Sequence, residues 1–415
     1  MDATTGLRRG LLWSVVAVGV LAAVALVVLW PRGPAPDLGR QPNTYVEGVV
    51  ERVDAVRCAS VEVSTDTGCR QATVRLTSGP DEGAEGVFLV RDIDFALPDV
   101  VPGDRVVLLD IATSPPPYRY VFAEFQRSTP LWALAAAFAA VVVLFGRWQG
   151  VRALAGLGAS ALLLVAFIVP AILRDGPAVP VALTGTVVIA FVALYLAHGV
   201  RITTTVALAG TLLSLTLIVV LAAAAASAAR LTGLADDQAQ ILRVTAAGID
   251  LRGLLVAGIV VGALGVLDDV TVTQVSTVAA LRRASPTASG LTLYREAIRV
   301  GRDHVASTVN TLVLAYAGAS LPLLLLFAQG SRPVGRLLAG EVVAVELVRM
   351  LVGSIGLVLS VPITTALAAA VITVDDAAVA GHHHGHDHDP DRDPDRTVQH
   401  GTARWEDFAP DEDVR

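Results

Sequence analysis

The sequence predicts an α-helical polytopic membrane protein of about eight transmembrane helices, with a small extracytoplasmic antiparallel β domain of OB-like character. Three observations predict it. Hydrophobic residues make up 54% of the chain and charged residues only 17%, for a mean hydropathy of +0.63. Apolar runs of about twenty residues, the length a helix needs to cross ~30 Å of hydrocarbon, recur along the chain. Between the first and second of these runs the pattern changes to short alternating segments separated by Gly, Pro, Asp and Ser, the signature of strands and turns.

Taken in order, Arg8 and Arg9 precede a first apolar run from Leu11 to Trp30, closed by Pro31, Arg32 and Gly33. It is longer than a signal-peptide core and no small-residue cleavage site follows, so residues 1–36 read as a cytoplasmic N-terminus and an uncleaved signal anchor. Residues 37–127 form the β domain. Its alternating segments run from Thr44 to Val53, Ala72 to Thr77, Gly86 to Asp92 and Asp104 to Asp110, and Val101-Pro-Gly-Asp104 is a tight turn entering a strand. Residues 128–374 read as a seven-helix bundle. Its expected spans are Pro130 to Phe145, Ala153 to Leu173, Pro180 to Ala197, Thr205 to Ala226, Leu251 to about Val270, Ser307 to Phe327 and Val342 to Ile372, the last long enough to tilt or to bend at Pro362. Residues 375–415 read as a disordered, His- and Asp-rich cytoplasmic tail.

Arginines in the short loops orient the chain. With the N-terminus inside, Arg8, Arg9, Arg147, Arg152, Arg201, Arg282, Arg283, Arg295, Arg299 and Arg302 fall on the inner side. Arg174, Arg230, Arg243, Arg252, Arg332 and Arg336 fall on the outer side. The longer list belongs in the cytoplasm, which puts both termini there and the β domain outside, in a cytoplasmic (inner) membrane. Lysine is absent, net charge is -7, and no basic run with interleaved aromatics points to nucleic acid. Cys58 and Cys69 flank a plausible turn in the β domain, and an external location permits a disulfide between them.

One stretch stands out chemically, Gly262-Ala-Leu-Gly-Val-Leu-Asp-Asp-Val-Thr-Val-Thr-Gln-Val-Ser276. At helical spacing Asp269, Thr273 and Ser276 share a face, and Gly258, Gly262 and Gly265 form a stripe for close helix approach. Ionisable groups inside a span face a bundle interior or an aqueous cavity, where Asp268 and Asp269 would bind a cation or relay protons. The alternative is that the span ends at Leu267 and the aspartates cap it at the interface. A second polar set comprises Asn310, near the start of one span, and Glu346 with Arg349, which open the last and can neutralise each other. In the tail, His382, His383, His384, His386 and His388 are weak metal candidates, because nothing enforces a closed four-ligand geometry. No ATP-binding loop, HExxH motif or nucleophile elbow is present, so neither an enzyme nor a cofactor is expected.

The same segments carry a family resemblance. The pattern Gly-Ala-x-Gly-x-x-x-Asp-Val ending at Val270, the run Val309-Asn-Thr-Leu-Val-Leu-Ala-Tyr-Ala-Gly318, and Glu346-Leu-Val-Arg-Met-Leu-Val-Gly353 continuing to Pro362 resemble the YibE/F family of bacterial multi-spanning membrane proteins. The resemblance covers about Pro130 to Ile372. It implies a bacterial cytoplasmic-membrane protein in which Asp269, Asn310, Glu346 and Arg349 are the matching polar positions, and it implies topology more than mechanism.

Two functions are expected to compete. The first is permease-like movement of a small ion or solute without ATP hydrolysis. The second is a non-enzymatic assembly or envelope factor whose β domain binds a protein or cell-envelope partner. The lipid bilayer is a partner in both.

Overall fold

The computed structural model describes residues 2–33, 44–57, 68–91, 99–235, 237–246, 248–328, 340–374 and 376. Helix α1 (Asp2–Val28) leads into five strands: β1 (Thr44–Arg57), β2 (Gly68–Leu76), β3 (Glu85–Arg91), β4 (Arg105–Asp110) and β5 (Tyr120–Phe125). The strands form one antiparallel sheet in the order β3-β2-β1-β4-β5. β1 is central because it is long enough to pair with β2 along one edge and β4 along the other, with a register shift between Val50 and Arg52. Alternate residues Val46, Val50, Ala72, Val74, Leu76, Phe88, Val90, Val106 and Leu108 point to one side and are buried there, as a period of two requires. The sheet curls into a half-barrel, and its edge strands meet through side chains, with Phe88 and Phe122 rings 5.9 Å apart.

Charges in this domain are paired locally. Arg119 Nε donates to Asp110 Oδ1 at 2.9 Å and an Nη2 hydrogen goes to Asp81 Oδ2 at 2.5 Å. The Asp110 hydrogen bond, more than any other contact, raises the guanidinium pKa above its ordinary value. Burial, helped by the hydrogen bond to Asp81, raises the Tyr120 hydroxyl.

Six helices among the described residues are long and apolar enough to cross a membrane. They lie within Thr5–Val28, Ser128–Leu173, Ala178–His198, Ile202–Ala228, Leu251–Ala284 and Glu341–Val371. The elements are α2 (Ser128–Leu163), a widened π-helical turn Leu164–Ile168, α3 (Val169–Leu173), α4 (Ala178–His198), α5 (Ile202–Ala228), α6 (Asp237–Thr245), α7 (Leu251–Ala284), α8 (Gly290–Ala319), α9 (Leu321–Ala328) and α10 (Glu341–Val371). The π turn sits just before Pro170, whose ring and missing N–H disturb the regular ladder.

Six differs from the eight expected spans at two places, each with a local cause. The first is Ser128–Leu173. Arg147 takes φ 51° and ψ -132°, breaking the helical path. Beyond it Gly150 lies against the carbonyl of Val142, eight residues earlier, where an unbroken helix would hold them about 12 Å apart. The second is Ser307 to Phe327. There the helix stops at Ser320 (φ -92°, ψ 8°) and restarts at Leu321, followed by Pro322, which cannot continue the α8 ladder but suits a first turn.

Contacts sort the helix ends into two levels. On the first level Arg8 Nη2 meets Asp376 at 3.1 Å, Arg152 Nε donates to the Leu196 carbonyl at 2.8 Å, and Gly290 packs on the Ala369 carbonyl. This is the terminal face. On the opposite level, the domain face, Trp30 stacks on Phe167 at 5.8 Å. There Gly248 also abuts Asp175, and Glu341 accepts from the amides of Thr232 and Gly233. Helix α4, 21 residues, is about 31 Å long and fits one bilayer. Helix α7, 34 residues, is about 51 Å long. Gly253 packs against Ala178 at the domain face, so the surplus length of α7 projects at the terminal face.

A Cβ at Gly150 would overlap the Val142 carbonyl, whereas Gly158 has open space around it. Gly150→Ala is therefore expected to destabilise the protein by about 1–3 kcal/mol and Gly158→Ala by less than about 0.5 kcal/mol. Thermal unfolding in detergent checks the difference, and equal effects would remove the close reversal at Arg147.

Candidate functional site: a buried polar seam in the helix bundle

Three helices, α5, α7 and α10, build the middle of the bundle. Their facing positions carry small residues: Gly210 lies against Thr364 and Gly356 against Ile218, where a side chain on either glycine would collide. Close approach brings the polar side chains of these helices together. Thr211 and Thr271 join hydroxyl to hydroxyl at 2.8 Å, fully buried. Thr271 also donates to the Asp268 carbonyl at 3.2 Å. One turn on, Thr365 donates to Gln274 Oε1 at 3.0 Å, with both residues at 0% exposure. Gly301 of α8 closes this end, because a Cβ there would stand 2.9 Å from Gln274 Nε2 and 2.7 Å from Val361.

The seam is not fully satisfied by protein. Ser214 Oγ, Asp268 Oδ1, Gln274 Nε2 and Thr364 Oγ1 are buried without a hydrogen-bond partner among the described residues. Native proteins leave few such groups, and those they keep are held by water or an ion or serve function. Asp268 lies seventeen residues along α7 from Leu251, about 25 Å from the domain face, which places the seam nearer the terminal face.

The residues singled out from the sequence are dispersed. Asp268 joins the seam, half-buried, while the Asp269 side chain is 68% exposed on the other side of α7. His304 Nε2 is 3.8 Å from Asp269 Oδ2, beyond hydrogen-bonding distance. Thr273 is partly buried, and its carbonyl accepts from Thr277. Ser276 is exposed and lines a separate cavity at the terminal face. Asn310 is exposed on α8. Glu346 and Arg349 form an ion pair on α10, at 2.8 and 3.2 Å. A Cβ added at Gly258 or Gly265 would meet no neighbouring atom within 4 Å, and one at Gly262 only the Tyr316 hydroxyl at 3.8 Å, so the glycine stripe is open in the single chain. Cys58 and the Cys69 side chain, and with them the disulfide, lie outside the described residues, as do His382, His383, His384, His386 and His388. The backbone of Cys69 is described and pairs with Val56. Among the described residues no three His, Cys, Asp or Glu side chains gather as metal ligands.

Sequence reasoning missed Thr211, Ser214, Thr271, Gln274, Thr364 and Thr365. The signal for them is faint: hydroxyl residues within apolar runs are common, because they can return a hydrogen bond to their own helix, as Thr216 does to Leu212 and Thr277 to Thr273. Gln274 is the exception, a full amide inside an apolar helix.

Such an arrangement, long apolar helices around a partly unsatisfied polar seam, defines an integral membrane protein of the multi-spanning helical class. A family model described as YibE/F-like protein matches residues 134–374, more than half of the chain, and the chain belongs to that family. No curated protein and no solved structure matches it.

Thr365→Val would leave Gln274 Oε1 buried and unpaired, at an expected cost of about 1–3 kcal/mol. Adding Gln274→Leu removes the orphaned amide and is expected to restore most of that loss. Unfolding of the two single variants and the double variant checks the coupling; strictly additive effects would mean that the two side chains do not share a bond.

Proposed function

We propose that this protein is a permease-like carrier, moving a small ion or solute without hydrolysing ATP, and is not an enzyme. The observation that carries this reading is the set of buried, unpartnered polar atoms on Asp268, Gln274, Ser214 and Thr364, on the same three helices that the Thr211–Thr271 and Thr365–Gln274 bonds join. Membrane proteins place substrate and coupling-ion sites at such polar interiors, because polar groups facing lipid are costly. Asp268, the one carboxylate in the seam, takes the role of cation ligand or proton carrier. The adjacent Asp269 and the more distant Asn310 belong to the outside of the single chain. Glu346–Arg349 is a structural or gating pair, its charges neutralised on one helix.

The reading extends to topology. Taking the Arg147 break as a hairpin and α8 as a crossing gives about eight spans, with both termini on one side. The Arg8–Asp376 ion pair supports this parity. With the terminal face in the cytoplasm, where the inner arginines belong, the β domain stands outside a bacterial cytoplasmic membrane. Its strand order suits an OB-like barrel left open between β3 and β5.

Proton and sodium flux into proteoliposomes tests the carrier. Asp268→Asn is expected to lower flux about tenfold or more, as loss of an ion-binding charge does, with Asp269→Asn within about twofold of the parent. Undiminished flux in Asp268→Asn would sink the role given to the seam.

A second reading rests on the β domain, which exposes Tyr45, Tyr118 and Val121 at 57%, 51% and 44%. It is an envelope or assembly factor that binds a protein or cell-envelope component there. Deleting residues 37–127 separates the two: cellular function lost while flux persists favours the envelope factor, and both retained favours the carrier alone.

A further inference from the structure

A second feature lies away from the seam, at the terminal face. A cavity of about 210 Å³, large enough for several waters, opens between the end of α4, the start of α5, the α2 segment just after Arg147 and the middle of α7. Arg152, His198 and Arg201 line it, together with Gln149, Thr204 and Ser276, and among the described residues no acidic one does. Among the described residues neither Arg152 nor Arg201 has a carboxylate at ion-pair distance, although the chain as a whole is acidic at -7. By contrast, Arg119 in the β domain and Arg349 in the bundle are both paired with carboxylates.

The cavity is also built to donate hydrogen bonds. Arg152 is held by its Nε–H to the Leu196 carbonyl, and its Nη2 lies over the turn at Gly199, facing the chain segment that carries His198 and Arg201. Helix α5, 27 residues long, begins here. Its N-cap Arg201 offers no side-chain acceptor to the first turn, and the first backbone bond is that of Thr205 to the Arg201 carbonyl. The amides before Thr205 are therefore unclaimed at the positive end of the helix dipole. Thr204, only 4% exposed, also lines the cavity, and no hydrogen bond of its hydroxyl occurs among the described residues.

Guanidinium groups, an imidazole, free first-turn amides and a buried hydroxyl converge without an acid among them. We infer that this cavity is a binding site for a phosphate-bearing anion. Guanidinium pairs and helix N-termini recognise phosphate oxygens with charge-assisted hydrogen bonds, and apolar walls strengthen the attraction. Phosphate is offered at this level by an anionic phospholipid headgroup or by a soluble phosphate. Basic pockets between helices on the cytoplasmic side take such headgroups, and Trp148, 74% exposed beside Gln149, suits the membrane interface.

The full chain in detergent, titrated with phosphatidylglycerol, phosphatidylcholine and inorganic phosphate and followed by native mass spectrometry and thermal stabilisation, tests the site. Arg201→Gln is expected to weaken binding of the anionic ligand about tenfold, with Thr204→Val weaker than the parent and Arg302→Gln, an exposed arginine of the same face, within about twofold. Arg152→Gln removes a bond to Leu196 and can unfold the hairpin, so Arg201 and Thr204 decide the outcome. Tight phosphatidylglycerol binding undisturbed by millimolar phosphate identifies a lipid headgroup, and displacement by phosphate identifies a soluble ligand. Either outcome supports the site. Phosphatidylglycerol binding no tighter than phosphatidylcholine with no phosphate bound, or Arg201→Gln binding like Arg302→Gln, overturns it.

Discussion

Hydrocarbon supplies no hydrogen-bond partner, and most of this structure follows from that. Backbone amides are satisfied within helices, so the chain crosses as helices and leaves irregular backbone at their ends. Polar side chains in the spans have to find each other, and they do so only where helices approach closely. Gly210 and Gly356 allow that approach, and the Thr211–Thr271 and Thr365–Gln274 bonds are its result. The same constraint makes the atoms left over, such as Asp268 Oδ1 and Gln274 Nε2, the most informative ones in the bundle.

Charge is managed differently in water and in the bundle. In the β domain Arg119 satisfies Asp110 and Asp81 together, and elsewhere in it Arg75 pairs with Glu51 and Arg52 with Asp54. Along α10, Glu346 and Arg349 cancel within one turn. At the terminal face, by contrast, Arg152 and Arg201 share a cavity that no carboxylate among the described residues lines. The polar seam and this cavity are both approached from α7, through Asp268 and Thr271 on one side and Ser276 on another, so one long helix passes by both sites.

Much of the architecture was legible in the sequence because hydropathy and period-two alternation are local properties. The β segments beginning at Thr44, Ala72, Gly86 and Asp104 each fall within or beside an observed strand, and the break between the first two bundle spans falls at Arg147, inside the expected loop. The expected span Ser307 to Phe327 is one apolar stretch in the sequence, and in the structure it is divided between α8 and α9 just before Pro322. The sequence singles out the Asp268–Asp269 pair but not what either side chain faces. Adjacent residues on a helix point about 100° apart, so the doubled aspartate could not act as a unit, and which of the two faced inward depended on how α7 rolled against α5.

The sequence by itself determined the class of protein and the family, because each rests on runs of neighbouring residues. Tertiary structure alone decided that Asp268 rather than Asp269 enters the seam. It also decided that Gln274 meets Thr365 across 91 positions, and that Arg152, His198 and Arg201 converge on one cavity. The physical reason is the same in each case. Helix rotation and close approach are set by packing between segments distant in the chain, and no local pattern encodes which side of a uniformly apolar helix its neighbour will cover.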